Sequence, residues 1–256
     1  RLYRATGDGT FVDVAPDLGV DEPSSSFATW WWDYDNDGDL DIYVAGFDDD
    51  VRTYVSRFFG DISPQSGAAG IARLYRNDGS GGFDDVTSEV GLDAPNLVMG
   101  AGFGDLDGDG FPDIVLGTGS VDFDSLTPNV AYRNLGGRRF ADVSVAAGLG
   151  HLEKGHGVAF GDLDRDGDQD LFVQIGGFYP GDLFSDALYR NPGHGNRWVT
   201  VTLEGTRSVR SAVGARIAVE LETADGGTHT VYAHIGTGGS FGGSSLQQEI
   251  GLGDAA

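Results

Sequence analysis

Asp105-Leu106-Asp107-Gly108-Asp109-Gly110-Phe111-Pro112-Asp113 is the stretch that decides how this chain is read. Carboxylates alternate at its positions 1, 3 and 5, glycine stands at position 6, and another carboxylate closes it at position 9. Odd spacing aims the side chains at one centre, and the glycine accepts a sharp backbone turn that other residues resist. The register returns in Asp33-Tyr34-Asp35-Asn36-Asp37-Gly38-Asp39-Leu40-Asp41 and in Asp162-Leu163-Asp164-Arg165-Asp166-Gly167-Asp168-Gln169-Asp170. A second marker runs with it. Leu2-Tyr3-Arg4, Leu74-Tyr75-Arg76 and Ala131-Tyr132-Arg133 each place a tyrosine 30 residues before the first aspartate of the following loop. A fourth marker, Leu188-Tyr189-Arg190, follows the last loop, and the markers are spaced 72, 57 and 57 residues apart. Such self-similarity identifies a tandem array.

Each unit reads as four short strands; in the third copy these are 130–134, 139–143, 157–161 and 170–175, separated by glycine-rich turns. Short apolar runs follow the loops (Ile42-Tyr43-Val44, Ile114-Val115-Leu116, Leu171-Phe172-Val173), as expected of strands covered on both faces. Four strands in about 57 residues is the size of a propeller blade, a sheet that buries its faces against its neighbours. The expected fold is all-β: a partial β-propeller of about three blades over residues 1–190, then a small β domain over 191–256. A β-sandwich of the same strands is the alternative. The longer first interval implies an insertion at 48–69, where Val51, Tyr54, Val55, Phe58 and Phe59 fall on one helical stripe behind Asp48, Asp49 and Asp50. That helix either covers its own blade or docks a partner.

The loops predict metal. Positions 1, 3 and 5 (Asp33, Asp35, Asp37; Asp105, Asp107, Asp109; Asp162, Asp164, Asp166) offer carboxylates. Position 7 (Asp39, Phe111, Asp168) offers a backbone carbonyl whatever its side chain, and position 9 (Asp41, Asp113, Asp170) closes the shell. Hard oxygen donors without His or Cys select Ca²⁺ over zinc or copper, and a flexible loop favours it over Mg²⁺. Three Ca²⁺ sites are therefore expected. An EF-hand would need Glu at position 12, where Val44, Leu116 and Val173 stand. Asp/Gly turns without metal remain the alternative reading.

Composition narrows the function. With 16 Lys+Arg against 40 Asp+Glu the net charge is −24, and the loops hold 14 of those aspartates. This field repels a phosphate backbone, so nucleic acid is not an expected partner. No apolar run approaches the ~18 residues of a membrane span. The absence of Cys removes thiolate metal sites, disulfides and cysteine nucleophiles. An acidic, thiol-free chain fits an extracellular or periplasmic location, and a secreted or cell-surface protein is expected.

Phe103-Gly104-Asp105 and Phe160-Gly161-Asp162, each leading into its loop, resemble the FG-GAP/VCBS repeats of integrin-like β-propellers; the first copy has Trp31-Trp32 in place of Phe-Gly. The tail resembles the ASPIC/UnbV domain found after such repeats in cartilage acidic protein and its bacterial relatives. The residues concerned are Gly195-Asn196-Arg197-Trp198-Val199, Ala212-Val213-Gly214-Ala215-Arg216, Gly239-Ser240-Phe241 and Gln248 through Gly253. The resemblance implies secreted or surface proteins with calcium in the propeller loops, adhesive or scaffolding roles and no defined enzymatic activity. It also implies further blades, so that the chain reads as an excerpt of a longer one.

Enzymatic readings are weaker. Gly238-Gly239-Ser240-Phe241-Gly242 fits G-x-S-x-G, but no helical pattern follows it. His151, His156, His194, His229 and His234 form no HExxH. Trp30-Trp31-Trp32 reads as blade core in preference to a sugar platform. The expected function is a non-enzymatic, calcium-rigidified module that holds a protein or glycan at the cell surface. Assembly of copies into a homo-oligomer, filament or sheath is a further option, and a propeller-scaffolded carbohydrate-active enzyme is the alternative.

Overall fold

The computed structural model describes residues 1–48, 70–120, 127–177, 179–181, 183–222 and 226–254. The helical stripe expected at Val51–Phe59 lies outside the described residues. Regular secondary structure among the described residues is almost entirely β. A hairpin of β1 (Tyr3–Ala5) and β2 (Phe11–Asp13) precedes one helical turn, α1 (Ala15–Leu18). Antiparallel sheets follow in chain order. Sheet 1 contains β3 (Ser26–Trp32), β4 (Asp41–Gly46), β5 (Arg73–Asn77) and β6 (Phe83–Asp85). Sheet 2 contains β7 (Val98–Gly104), β8 (Asp113–Thr118), β9 (Val130–Asn134) and β10 (Phe140–Asp142). Sheet 3 has three strands, β11 (Gly155–Gly161), β12 (Asp170–Ile175) and β13 (Ala187–Tyr189).

The pairing corrects the phase of the repeat. A unit counted from the tyrosine marker is divided between two sheets: β9 and β10 pair within sheet 2, and β11 and β12 open sheet 3. The marker strand pairs back onto the strand that leaves the preceding loop. Ile42 faces Tyr75, Ile114 faces Tyr132 and Leu171 faces Tyr189, so the three sheets share one register.

Alternation along the strands sends side chains to both faces, and the sheets pack on one another. Trp30, Trp32, Tyr43 and Leu74 of sheet 1 meet Ile114, Leu116, Val130, Tyr132 and Phe140 of sheet 2 in one buried cluster. Val115 and Ala131, on the other face of sheet 2, meet Val158, Phe160, Leu171 and Val173 of sheet 3. The opposite face of sheet 1 (Ile42, Tyr75) is covered by Ala15 and Val20 beside Leu2 and Leu18. Strands β3, β7 and β11 adjoin in turn.

The tryptophan run divides by face. Trp30 and Trp32 are core, as read from the sequence, whereas Trp31 is 47% exposed and meets Phe83 edge-on. Trp32 stands where the other copies have the glycine of Phe-Gly, and it stacks on Phe140 at 5.9 Å. At Gly104 a Cβ would lie 2.5 Å from the Phe160 ring, so the glycine there makes room for the next sheet. In the first copy the equivalent ring of the next sheet, Phe103, packs against the Trp32 indole instead, with centroids 5.5 Å apart.

Residues beyond sheet 3 form two ribbons, β14 (Arg197–Val201) with β17 (Gln248–Gly253) and β15 (Arg216–Glu222) with β16 (Thr228–His234). Both lie over the aspartate loops. Among the described residues no helix is long and apolar enough to cross a membrane.

Candidate metal centre

Each loop joins the first two strands of its sheet, so the register of the sheet fixes the carboxylates. In all three, one hydrogen-bond scheme recurs. The first aspartate accepts the backbone N–H groups of positions 5 and 6: Asp33 from Asp37 (3.1 Å) and Gly38 (2.9 Å), Asp105 from Asp109 (3.1 Å) and Gly110 (2.9 Å), Asp162 from Asp166 and Gly167 (both 3.1 Å). Gly38, Gly110 and Gly167 have φ of 93°, 92° and 93°, the left-handed turn that the sequence demanded. Position 4 is left-handed as well, at Asn36 (φ 61°), Gly108 (66°) and Arg165 (64°). Sequence reasoning missed this: Asn36 and Gly108 are residue types that favour the left-handed region, but Arg165 is not.

Three carboxylate oxygens converge in every loop, within 4.8 Å of one another. The groups are Asp33, Asp35 and Asp37; Asp105, Asp107 and Asp113; Asp162, Asp164 and Asp166. Positions 1 and 3 therefore gather throughout. Position 5 joins them in the first and third loops, and position 9 in the second. The position-7 side chains Asp39 and Asp168 are in none of these groups.

Position 9 has a further task. One oxygen of Asp41, Asp113 and Asp170 accepts the N–H of loop position 2, from Tyr34 (3.2 Å), Leu106 (2.9 Å) and Leu163 (3.0 Å). The other accepts the N–H of the asparagine after the marker, from Asn77 (2.8 Å), Asn134 (2.7 Å) and Asn191 (2.9 Å). These asparagines went unnoticed in the sequence, although each directly follows its Tyr-Arg pair. Two of the marker arginines also pair with loop carboxylates: Arg133 with Asp107, and Arg190 with Asp164 and, at 3.5 Å, with Asp166, whereas Arg76 pairs with Asp84 at 3.7 Å.

Crowded carboxylates leaving water are held above their ordinary range. Burial pushes Asp33 up to about 7, Asp41 to about 8 and Asp105 to about 7, with neighbouring aspartates adding to the shift. Asp109 rises to about 6 and Asp113 well above the usual carboxylate value, again chiefly through burial. Asp107 is 6% exposed, and its Oδ1 is buried without a hydrogen-bond partner; Oδ1 of Asp35 is in the same condition. Leaving such oxygens unpaired costs about 1–3 kcal/mol or more each. Hard oxygens, converging and short of partners, fit a divalent cation of the calcium type.

The C-terminal ribbons close over these turns. Asn36 binds β16 twice, donating to the Thr230 carbonyl (3.1 Å) and accepting from the Tyr232 N–H (2.7 Å), and Arg216 donates to the Gly38 carbonyl (2.8 Å). Asn196 donates to the Asp107 carbonyl (2.7 Å), and Gly253 N–H to the Gly108 carbonyl (3.0 Å). The Trp198 indole lies where a side chain at Gly167 would stand. Ser240 forms a backbone bridge to Ala101, with no helix following it among the described residues, so the strand-to-helix context of a hydrolase elbow is missing there.

Residues 33–116 and 118–173, more than half the chain, match the family model of the FG-GAP-like repeat. The chain belongs to this family. The match begins at the first aspartate loop and ends in β12, so the FG-GAP-like repeats contain all three loops. A search of curated proteins gave no match.

Proposed function

We propose that this FG-GAP-like repeat protein is a non-enzymatic, calcium-rigidified extracellular module that presents a surface to a protein or glycan partner. Each loop would hold one Ca²⁺: Asp33, Asp35 and Asp37; Asp105, Asp107, Asp109 and Asp113; Asp162, Asp164 and Asp166, with positions 7 and 9 available to complete the shell. The observation that carries the reading is the buried, partnerless Oδ1 of Asp107 inside a turn repeated three times in one register. The ion would supply the charge that the loops lack. With free calcium about twentyfold above Kd, each site would add about 1.8 kcal/mol to folding stability, and three would add about 5. That is much of a typical domain's total. In this reading the stacked sheets are propeller blades, and residues 191–256 are an ASPIC/UnbV-like cap resting on the metal loops.

Thermal unfolding during a chelator titration tests the proposal. A fall in Tm that calcium restores supports it, and an unchanged Tm counts against it. The alternative, a carbohydrate-active enzyme, draws on a cavity of about 790 Å³ between the repeats and the C-terminal ribbons, lined by Trp30, Asp33, Asp105, His234 and Glu249. Asp33 and Asp105 already hold their loops together, which leaves Glu249 as the carboxylate there with an unpartnered oxygen. Glycoside chemistry needs a pair. Polysaccharide turnover abolished by Glu249→Gln would favour the enzyme.

A further inference from the structure

The loops are not independent of one another. The Asn134 side chain donates from Nδ2 to the carbonyl of Pro112 in its own loop (3.1 Å) and to the carbonyl of Tyr34 in the preceding loop (2.8 Å). Its Oδ1 accepts the N–H of Gly137 (2.8 Å), and the residue is fully buried. Asn191 repeats the arrangement one sheet later, donating to the Gln169 carbonyl (3.1 Å) and across to the Leu106 carbonyl (2.6 Å), with Gly193 N–H on its Oδ1 (3.0 Å).

These contacts join end to end. Asp41 accepts from Tyr34 N–H, and the Tyr34 carbonyl accepts from Asn134, whose N–H donates to Asp113. Asp113 accepts from Leu106 N–H, and the Leu106 carbonyl accepts from Asn191, whose N–H donates to Asp170. The Tyr34 carbonyl belongs to the peptide leading into Asp35, and the Leu106 carbonyl to the peptide leading into Asp107. Drawing Asp35 onto an ion therefore orients the acceptor that holds Asn134, and Asn134 in turn sets Asp113, one of the three converging carboxylates of the second loop.

We propose that Asn134 and Asn191 are positioning residues that couple the three metal loops into a cooperative array, so that an ion in one loop raises the affinity of its neighbour. The inference rests on the calcium reading. A coupling in the usual range makes the second ion bind at least about fivefold more tightly than the first. The buried relay has two discrete arrangements open to it, fully bonded or broken, because a half-made buried network is costly.

The glycine amides allow each site to be watched separately, since Gly38, Gly110 and Gly167 N–H each bond the first aspartate of their own loop. Calcium is titrated into the chelated, ¹⁵N-labelled chain while these three amide signals are followed. In the wild type all three shift with a common midpoint and a Hill coefficient above about 1.5. In Asn134→Ala the Gly38 transition becomes hyperbolic and separates, while Gly110 and Gly167 stay together. In Asn191→Ala, at a half-buried site, Gly167 separates while Gly38 and Gly110 stay together. A purely structural loss would move all three midpoints alike and would overturn the proposal, as would hyperbolic wild-type transitions. Saturation of all three sites without cooperativity would reject the coupling and leave calcium binding intact; no response of any glycine would reject both.

Discussion

Phe172 faces Leu188 across sheet 3 at the register that sets Tyr43 opposite Leu74 in sheet 1 and Val115 opposite Ala131 in sheet 2. The pairs in sheets 1 and 2 are at most 1% exposed because the next sheet covers them; Phe172 and Leu188 are 39% and 61% exposed. The stack thus presents, on sheet 3, the face that elsewhere receives a further sheet. A second copy continuing the stack is the occupant this continuity favours. Sedimentation velocity in calcium is expected to show association that strengthens with added salt, because screening relieves the repulsion between copies of charge −24. Phe172→Asp abolishes it without lowering Tm. A particle that remains monomeric up to high concentration contradicts the expectation.

Metal-free protein has an inverted pH response. Asp33, Asp41, Asp105 and Asp109 are raised to about 7, 8, 7 and 6 when folded, against an ordinary value near 4 in the unfolded chain. Groups with raised values favour the folded state fully below the unfolded value near 4, and that contribution is lost progressively as pH climbs from there through the folded values of about 6 to 8. In chelator, Tm is therefore higher at pH 5.5 than at pH 8. With calcium the order reverses, since the ion requires ionised carboxylates and its stabilisation grows over the same window. A chelated protein that melts higher at pH 8 removes the electrostatic basis of the account.

Much of this was readable beforehand. Asp-x-Asp-x-Asp-Gly fixes its own turn, so loop geometry at Gly38, Gly110 and Gly167 followed from local chemistry, as did the strand positions around them. The Trp30-Trp31-Trp32 run was read whole as blade core, which holds for Trp30 and Trp32 but not for the exposed Trp31. What escaped was long-range. The phase of the sheets depends on pairing Leu74 with Tyr43 across a long connection, and a 57-residue period does not mark where one sheet ends. The clasp of Asn36 on Tyr232 joins residues 196 apart in sequence. Asn134 and Asn191 were visible as letters beside the marker, yet their role exists only once two loops are adjacent.

Arg165 is a misfit at a left-handed position that Asn36 and Gly108 occupy at lower cost. Its side chain is exposed. Arg165→Gly is expected to stabilise the protein by about 1 kcal/mol, raising Tm by about 2–4 °C in a chain of this size. Calorimetry of the two proteins in saturating calcium decides the matter, and a lower Tm for the variant would refute it.

Arg133 meets Asp107 where a cation would also bind. A fixed positive charge a few ångströms from the ion opposes it, so Arg133→Gln should tighten the second site about fivefold, while lowering the Tm of the chelated protein through loss of the ion pair. The Gly110 amide reports this affinity directly. Weaker binding in the variant would show that the guanidinium orders the site instead of competing with calcium.

The most direct test of the whole account is the number of ions bound. Isothermal titration of calcium into the exhaustively chelated chain, checked by elemental analysis after gel filtration, is expected to give three Ca²⁺ per chain, falling to two when Asp105 and Asp107 are both changed to Asn. A folded chain that takes up no calcium at millimolar concentration would contradict it.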